Sequence, residues 1–408
     1  MNSSHSQNLE SEVEVSRPLK RKQSIASPNY LDLNEAFSSS EIASLWPKLG
    51  NMVSKSNFDL SWISKAYRTG IDVSQVQPEV VDRFSVVWDE EAMTNRVVRG
   101  ADAPVFVLNR EKIEEVQNTG FMELSEEFNR LVDYNVLTEP RMSIFEVLMA
   151  HVPSGNLAEI HSGRQIFCKA GVLGGMGRRL YYRKKLKLNA CFVDGAVFLE
   201  IDEDFVEEYE ASKHYDYDHA NYQVYNGTQF AKDITHAVEV ENGRFVEHRT
   251  VVRTEFPSVT VLTSGEIDAV GEHGELVEIK SQVDGLSARF WREVSCKLFL
   301  QMFFSGTTKC VQGEKSDWSI LNIQEFHIDD IVDVTNAQDD NFIWFKNDVL
   351  RFLDEVLDVI YDKLSKSPKT VFEVTKVDGR SRLEIKRSKK RADEFFPEDF
   401  VQHFNLDL

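Results

Sequence analysis

Five apolar runs in the middle of the chain constrain its fold more than any other feature. "RQIFCKAGVL", "NACFVDGAVFLEID", "FVEHRTVVRTEF", "SVTVLTSGEIDAV" and "ELVEIK" are rich in β-branched and aromatic residues and are separated by Gly, Asn and Asp turns. Such runs read as strands of one or two antiparallel or mixed sheets. Helical spacing flanks them. "EPRMSIFEVLMAHV" predicts a helix with Pro140 near its first turn, and "ARFWREVSCKLFLQMFFSG" predicts one that stops at Gly306. In "DNFIWFKNDVLRFLDEVLDVIYDKL" the residues Ile343, Phe345, Val349, Phe352, Val356 and Ile360 step at three and four, an amphipathic helix. The class is therefore α/β. No linker interrupts residues 150–408, so one domain is expected over 30–408, preceded by a polar, disordered tail over 1–29.

Composition narrows the function. The chain has 47 basic and 67 acidic residues and a formal charge of −20, which disfavours a protein that coats nucleic acid nonspecifically. A nuclease that admits one strand end into a local acidic cleft remains compatible with that charge. No apolar run approaches the ~18–20 residues that span a bilayer, and "MNSSHSQNLESEVEV" lacks the apolar stretch of a signal peptide, so an intracellular protein without membrane attachment is expected. Within the tail, "RPLKRK" (Arg17 to Lys22) resembles a nuclear localisation signal. Cys168, Cys191, Cys296 and Cys310 are widely spaced, which predicts small buried thiols rather than disulfides or a zinc site.

The chemistry concentrates in "GEIDAVGEHGELVEIK" (Gly265 to Lys280). Side chains two apart on a strand share a face, so Glu266 pairs with Asp268 and Glu278 with Lys280. Gly271 and Gly274 supply the turn, and pairing of the two strands would gather three carboxylates and an ammonium. Converging carboxylates repel unless cations neutralise them, and Mg²⁺ or Mn²⁺ are the natural ions for oxygen ligands. One or two such ions suit hydrolysis of a phosphodiester or pyrophosphate. In that chemistry Lys280 would hold the attacking water or a substrate phosphate and offset developing charge. Asp…Glu-x-Lys on adjacent strands is the arrangement of PD-(D/E)xK nucleases. The plainer alternative is a solvated hairpin with its charges outward.

Taken with its neighbours, the hairpin resembles the decapping exoribonuclease (DXO) family of RNA 5′-end quality-control enzymes. The likeness runs in order over roughly residues 160–405: "ACFVDGAVFLEIDED", "YNGTQF", "SGEIDAV", "VEIKSQ", "FWREVSCKLFLQMFFSG" with "VQG", and "EFFPEDFV". It implies two mixed or antiparallel sheets with flanking helices and a PD-(D/E)xK-like active-site hairpin. It also implies metal-dependent removal of incomplete or atypical caps, NAD caps among them, and 5′→3′ degradation of RNA. By residue, Glu266, Asp268 and Glu278 would be metal ligands, and Lys280 and Gln301 would contact the water or scissile phosphate. RNA 5′ ends would be the partners, and a docked 5′→3′ exonuclease protein stays open.

Two positions depart from the family. Ala231 stands where its metal-linked glutamate would be, and Asp233, two residues on, would project from another helix face. Ala170 stands where an arginine for substrate phosphates is usual, with Lys169 beside it on the opposite strand face. Attenuated catalysis is one consequence; a catalytically inactive relative that binds RNA ends or a partner protein is the alternative. Arg178, Arg179, Arg183, Lys184 and Lys185 in "RRLYYRKKLK", together with Lys169, are the candidate RNA path, with Tyr181 and Tyr182 to stack on bases. "GVLGGMG" (Gly171 to Gly177) lacks the Lys-Ser/Thr of a P-loop and reads as a flexible turn. His161, His214 and His219 lack a matching third ligand at metal-site spacing and read as ordinary polar residues.

Overall fold

Strand character follows the apolar runs closely. The computed structural model describes residues 72–408 except 101–102, 125–141, 153–156, 158–159, 161–162, 182–185, 203–204, 206–216, 237, 241–242, 284, 288, 317–318, 337–343 and 377–382. The strands are β1 (Pro78–Asp89), β2 (Thr94–Val98), β3 (Met122–Glu123), β4 (Gln165–Lys169), β5 (Leu186–Val193), β6 (Ala196–Ile201) and β7 (Gly243–Glu255). They continue with β8 (Thr260–Ile267), β9 (Ala269–Val270), β10 (Leu276–Val283), β11 (Lys309–Ser316), β12 (Ser319–His327), β13 (Val371–Lys376) and β14 (Leu383–Arg387). Nine form one sheet in the order β14-β13-β5-β6-β4-β8-β7-β1-β2, and five form a second in the order β3-β12-β11-β10-β9. Within this framework β4 lies parallel to both β6 and β8, and β10 lies parallel to β11. The fold is thus α/β with two mixed sheets, as expected.

The helices are α1 (Arg110–Thr119), α2 (Ile144–His151), α3 (Ala170–Gly177), α4 (Tyr217–Asp233) and α5 (Ser295–Ser305). The rest are α6 (Ile328–Asn336), α7 (Lys346–Leu364), α8 (Ala392–Phe395) and α9 (Glu398–His403). They cover both faces of the large sheet, which is why its central strands read as unbroken apolar runs. Along β6, Val197 and Leu199 join the cluster under α3, α5 and α7, while Ala196 and Phe198 join the one under α2, α8 and α9. The second cluster is aromatic, with Phe145, Phe198, Phe396 and Phe400 in mutual ring contact. All four cysteines are buried and unpaired, as the spacing predicts.

Three sequence readings change. The helix in "EPRMSIFEVLMAHV" begins at Ile144, where Ser143 and Glu146 form a capping box, so the start is set by a reciprocal cap; Pro140 lies outside the described residues. The strand predicted through "FCKAGVL" ends at Lys169, and "AGVLGGMG" is helix α3 rather than a flexible turn. Packing requires one of its glycines: a β-carbon on Gly177 would lie 3.0 Å from both Leu300 Cδ1 and Val349 Cγ1. Glycine there lets α3 press against α5 and α7, and that gain outweighs its poor helix propensity. Finally, α7 begins at Lys346, with Phe345 as its N-cap, and its buried stripe is Val349, Leu350, Phe352, Leu353, Leu357, Ile360 and Leu364.

Candidate active site

The predicted hairpin is assembled differently from a simple strand pair. β8 carries Glu266 in the large sheet, where it is in register with Arg249 of β7. After Ile267 the chain leaves that sheet, passes Asp268, and enters the small sheet as β9. The turn over Gly271 to Glu275 then returns it as β10, and only two residue pairs, Leu276↔Val270 and Val277↔Ala269, join β10 to β9. The long partner of β10 is β11, in parallel. Asp268 is tied to β10 by its side chain instead, because Oδ2 accepts the Ile279 N–H at 2.7 Å. A one-strand change of sheet is what brings Glu266, on the large sheet, toward Glu278 and Lys280 on the small one.

Glu278 is the centre of the cluster. It is fully buried, and its Oε1 receives the Lys280 ammonium and, at 2.5 Å, the Gln301 amide of α5. Lys280 Nζ also lies 3.5 Å from Asp268 Oδ2. Burial pushes the Glu278 carboxyl up to about 8, the nearby Lys280 charge works against that, and Asp268 and Glu266 add to it. For Lys280, burial alone would favour the neutral amine, but the carboxylates of Asp268 and Glu278 reverse this and hold the proton firmly. The group of four sequence-predicted charges, Glu266, Asp268, Glu278 and Lys280, is thus brought together with Gln301 rather than turned to bulk solvent.

Helix α5 is fixed over this point from both ends. At its start Ser295 Oγ donates to the Trp291 carbonyl at 2.5 Å and accepts from Trp344 Nε1 at 2.9 Å. At its end the Phe304 and Ser305 carbonyls accept from Thr263 of β8 and Thr250 of β7, each at 2.7 Å, so sheet hydroxyls satisfy the helix's terminal acceptors. Gly265 permits the contact: a β-carbon there would lie 2.3 Å from Ser305 Cβ. Gln301 is therefore positioned relative to β8 by packing and by hydrogen bonds, and the helix stops at Gly306 as predicted.

The donor set fits a hard divalent cation. Glu278 Oε2 is buried and has no hydrogen-bond partner, a costly arrangement for a carboxylate oxygen and one that a cation would relieve. Among the described residues, however, no three Asp, Glu, His or Cys side chains converge into a ready-made metal centre, and the Lys280 ammonium contacts both Glu278 and Asp268. Ion binding would have to move that ammonium.

The two departures from the family pattern have structural correlates. Ala231 lends its methyl group to the apolar cluster of Phe230, Ile234, Val277 and Ile279, so no carboxylate comes from that position. Asp233 points elsewhere: it is half-buried, accepts from Gln229 Nε2 at 2.7 Å, and lines a cleft with Lys112 and Glu115. Ala170 is buried as the first residue of α3. Lys169, half-buried, is the last residue of β4, in register with Ser264 of β8, so it lies at the same sheet end as Glu266. Arg178 and Arg179 form a half-buried 3₁₀ turn after α3, which gives them less solvent access than a free RNA path would need. Arg183, Lys184 and Lys185 lie outside the described residues, as do His161 and His214; of His219 only its place in α4 is described.

One buried ion pair escaped the sequence reading. Arg249, in register with Glu266, donates to Glu247 at 2.6 and 2.9 Å and to Ser264 Oγ at 3.1 Å, with both charged residues buried. Its signal was present as charges two apart in the apolar run "FVEHRTVV". That alternation puts both on one strand face, as it does for the hairpin.

A strand carrying Glu and Asp from one sheet to meet Glu-x-Lys on another, under a helix that supplies Gln, defines a nuclease fold of the PD-(D/E)XK type. The family model described as RAI1 like PD-(D/E)XK nuclease matches residues 77–401, and the chain belongs to that family. Among solved structures, it is similar to Scheffersomyces stipitis Rai1 (15% identity, 81% of this chain and 93% of that one, TM-score 0.62). Candida albicans Rai1 in complex with pU5-Mn²⁺ is similar at 15% identity over 82% and 97% of the two chains, with TM-score 0.60. K. lactis Dxo1 in complex with manganese is similar at 12% identity over 80% of this chain and 94% of that one, with TM-score 0.56. No curated protein matches the chain in sequence.

Proposed function

We propose that the protein is a divalent-metal-dependent hydrolase of RNA 5′ ends, removing incomplete or atypical caps, NAD caps among them, and degrading RNA 5′→3′. The observation that carries this reading is Glu278: fully buried, one oxygen unpartnered, with Lys280 and Gln301 on the other. Glu266, Asp268 and Glu278 would hold Mg²⁺ or Mn²⁺, which when bound neutralises phosphate charge and makes water a better nucleophile. Lys280, the site's proton-holding cation, would donate to the phosphate oxygens as charge builds on them. Gln301 orients Glu278 through its amide, and Asp268 is held to β10 by the Ile279 N–H. The RNA-bound and Mn²⁺-bound states of the similar Rai1 and Dxo1 proteins support divalent ions and RNA ends as ligands here. The loss of a carboxylate at Ala231 and of an arginine at Ala170 supports slower turnover than a complete site would give. Nuclear residence, from Arg17 to Lys22, belongs to the same proposal.

A second reading, an RNA-end-binding or partner-binding protein without catalysis, is favoured by Ala231 having joined the apolar cluster. Turnover of NAD-capped and 5′-monophosphate RNA with Mg²⁺ and with Mn²⁺, beside Asp268→Asn, separates the two. Metal-dependent product that vanishes in Asp268→Asn is expected. No product from either RNA at high Mn²⁺, and none after Ala231→Glu, would leave the binding protein as the better account.

A further inference from the structure

Parallel pairing sets Lys280 against Gln312 of β11, and antiparallel pairing sets Gln312 against Gln324 of β12. Residues in register on neighbouring strands share a face, so these three form one polar row across the small sheet, starting at the active-site lysine. Gln312 is only 1% exposed. Its amide nitrogen turns back to the Gly313 carbonyl at a long 3.4 Å, and its Oε1 has no hydrogen-bond partner. A buried carboxamide oxygen left unpaired is costly, and native structures hold few of them.

Lys280 shows the complementary strain. Its ammonium lies on Glu278 Oε1, which already accepts from Gln301, and reaches Asp268 Oδ2 at 3.5 Å. A divalent cation drawn to Glu278 and Asp268 competes for those oxygens and repels the ammonium. The displaced ammonium needs an acceptor within reach of its stem, and one that adds no further negative charge. The unpartnered oxygen on the adjoining strand is of that kind. Two oxygens in this neighbourhood lack partners, Glu278 Oε2 and Gln312 Oε1. An ion on the first and the ammonium on the second would satisfy both.

We propose that Gln312 is a positioning residue of the site, whose Oε1 accepts the Lys280 ammonium when a divalent ion takes the carboxylates of Glu278 and Asp268. This rests on the reading of the site as a divalent-ion hydrolase. The exchange makes Lys280 a two-position cation: on the carboxylates before loading, on the carboxamide after it. A plain structural glutamine would have no such link to Lys280.

The test is Mn²⁺ calorimetry on the full chain, with Gln312→Met and Gln312→Glu made both alone and in a Lys280→Met background. Gln312→Met, similar in volume but without the acceptor, is expected to weaken Mn²⁺ about tenfold, while its metal-free Tm stays level or rises. Gln312→Glu retains an oxygen on the same stem and should bind at least as tightly as the parent. In the Lys280→Met background Gln312→Met should have no further effect, since the ammonium it receives is gone. Equal affinity of parent and Gln312→Met overturns the role, as does a tenfold loss that persists without Lys280. A parent that binds no Mn²⁺ overturns the hydrolase reading itself and this role with it. Gln312→Leu carries the same comparison should Gln312→Met fail to fold.

Discussion

Two buried titratable side chains govern the residue scale, and burial shifts the pKa of each toward its neutral form. Burial raises the Glu278 carboxyl toward about 8, while the Lys280 ammonium on its Oε1 pulls it back toward the charged form. Glu278→Gln keeps the shape but removes the ligand charge, so turnover is expected to fall more than about a hundredfold with a much smaller effect on metal-free stability, a split that denaturant melts and rate measurements would reveal. His248 is held down to about 4 by burial, with the charge of Arg83 adding to it. The Ser85 hydroxyl donates to the Pro104 carbonyl at 2.5 Å, so it must accept from His248 Nδ1–H at 2.8 Å, which sets the neutral tautomer. Its folded pKa is depressed, so the unfolded chain takes up the proton first on acidification. Stability from His248 is complete above about 6.5 and drains away as pH falls toward about 4, by up to about 3 kcal/mol. The loss of denaturation midpoint between pH 7 and pH 4.5 should be smaller in His248→Gln than in the parent. Both residues stand in apolar runs, where the sequence displays a charge but not its depth; burial at that level comes from α5 and from the neighbouring strands.

At the scale of elements, the decisive contact is α5 on β8. Sequence spacing predicts the helix and its stop at Gly306, and both are found. It also predicts that "SGEIDAV" and "ELVEIK" are strands joined at "GEHGE", and they are. The pairing is where expectation and fold diverge. A hairpin pattern implies full antiparallel pairing, yet β10 spends its length against β11, which follows it only after α5. Nothing local distinguishes the two partners, because the competing ladder comes from a segment about thirty residues away. Likewise Gly265 looks like any strand glycine until Ser305 is seen against it. Gly265→Ala would force α5 away from β8 and move Gln301 with it, so a loss of about 1–3 kcal/mol is expected, with turnover falling in parallel. Thermal melts and rates measured side by side would check this; an unchanged melt would mean that the helix rests elsewhere.

For the whole molecule, 67 acidic against 47 basic residues sets an electrostatic background that attracts cations and repels RNA away from the site. Mn²⁺ should therefore raise Tm by several degrees at concentrations well above its Kd, chelation should return it, and Asp268→Asn should abolish the shift. The charge pattern, the alternating apolar runs, the buried cysteines, the α/β class and the identity of the charged quartet are determined by the sequence by itself, whereas Gln301 is implied only by the resemblance to a known family. Each of the former depends on periodicity or side-chain chemistry, and those act over a few residues. What only the tertiary structure decided is the change of sheet at Asp268, the collapse of "AGVLGGMG" into a packed helix, the burial of Ala231 among apolar groups, and the row from Lys280 to Gln312. These depend on which distant segment wins a place against each strand, and that competition is settled by packing across the whole core rather than by any local pattern.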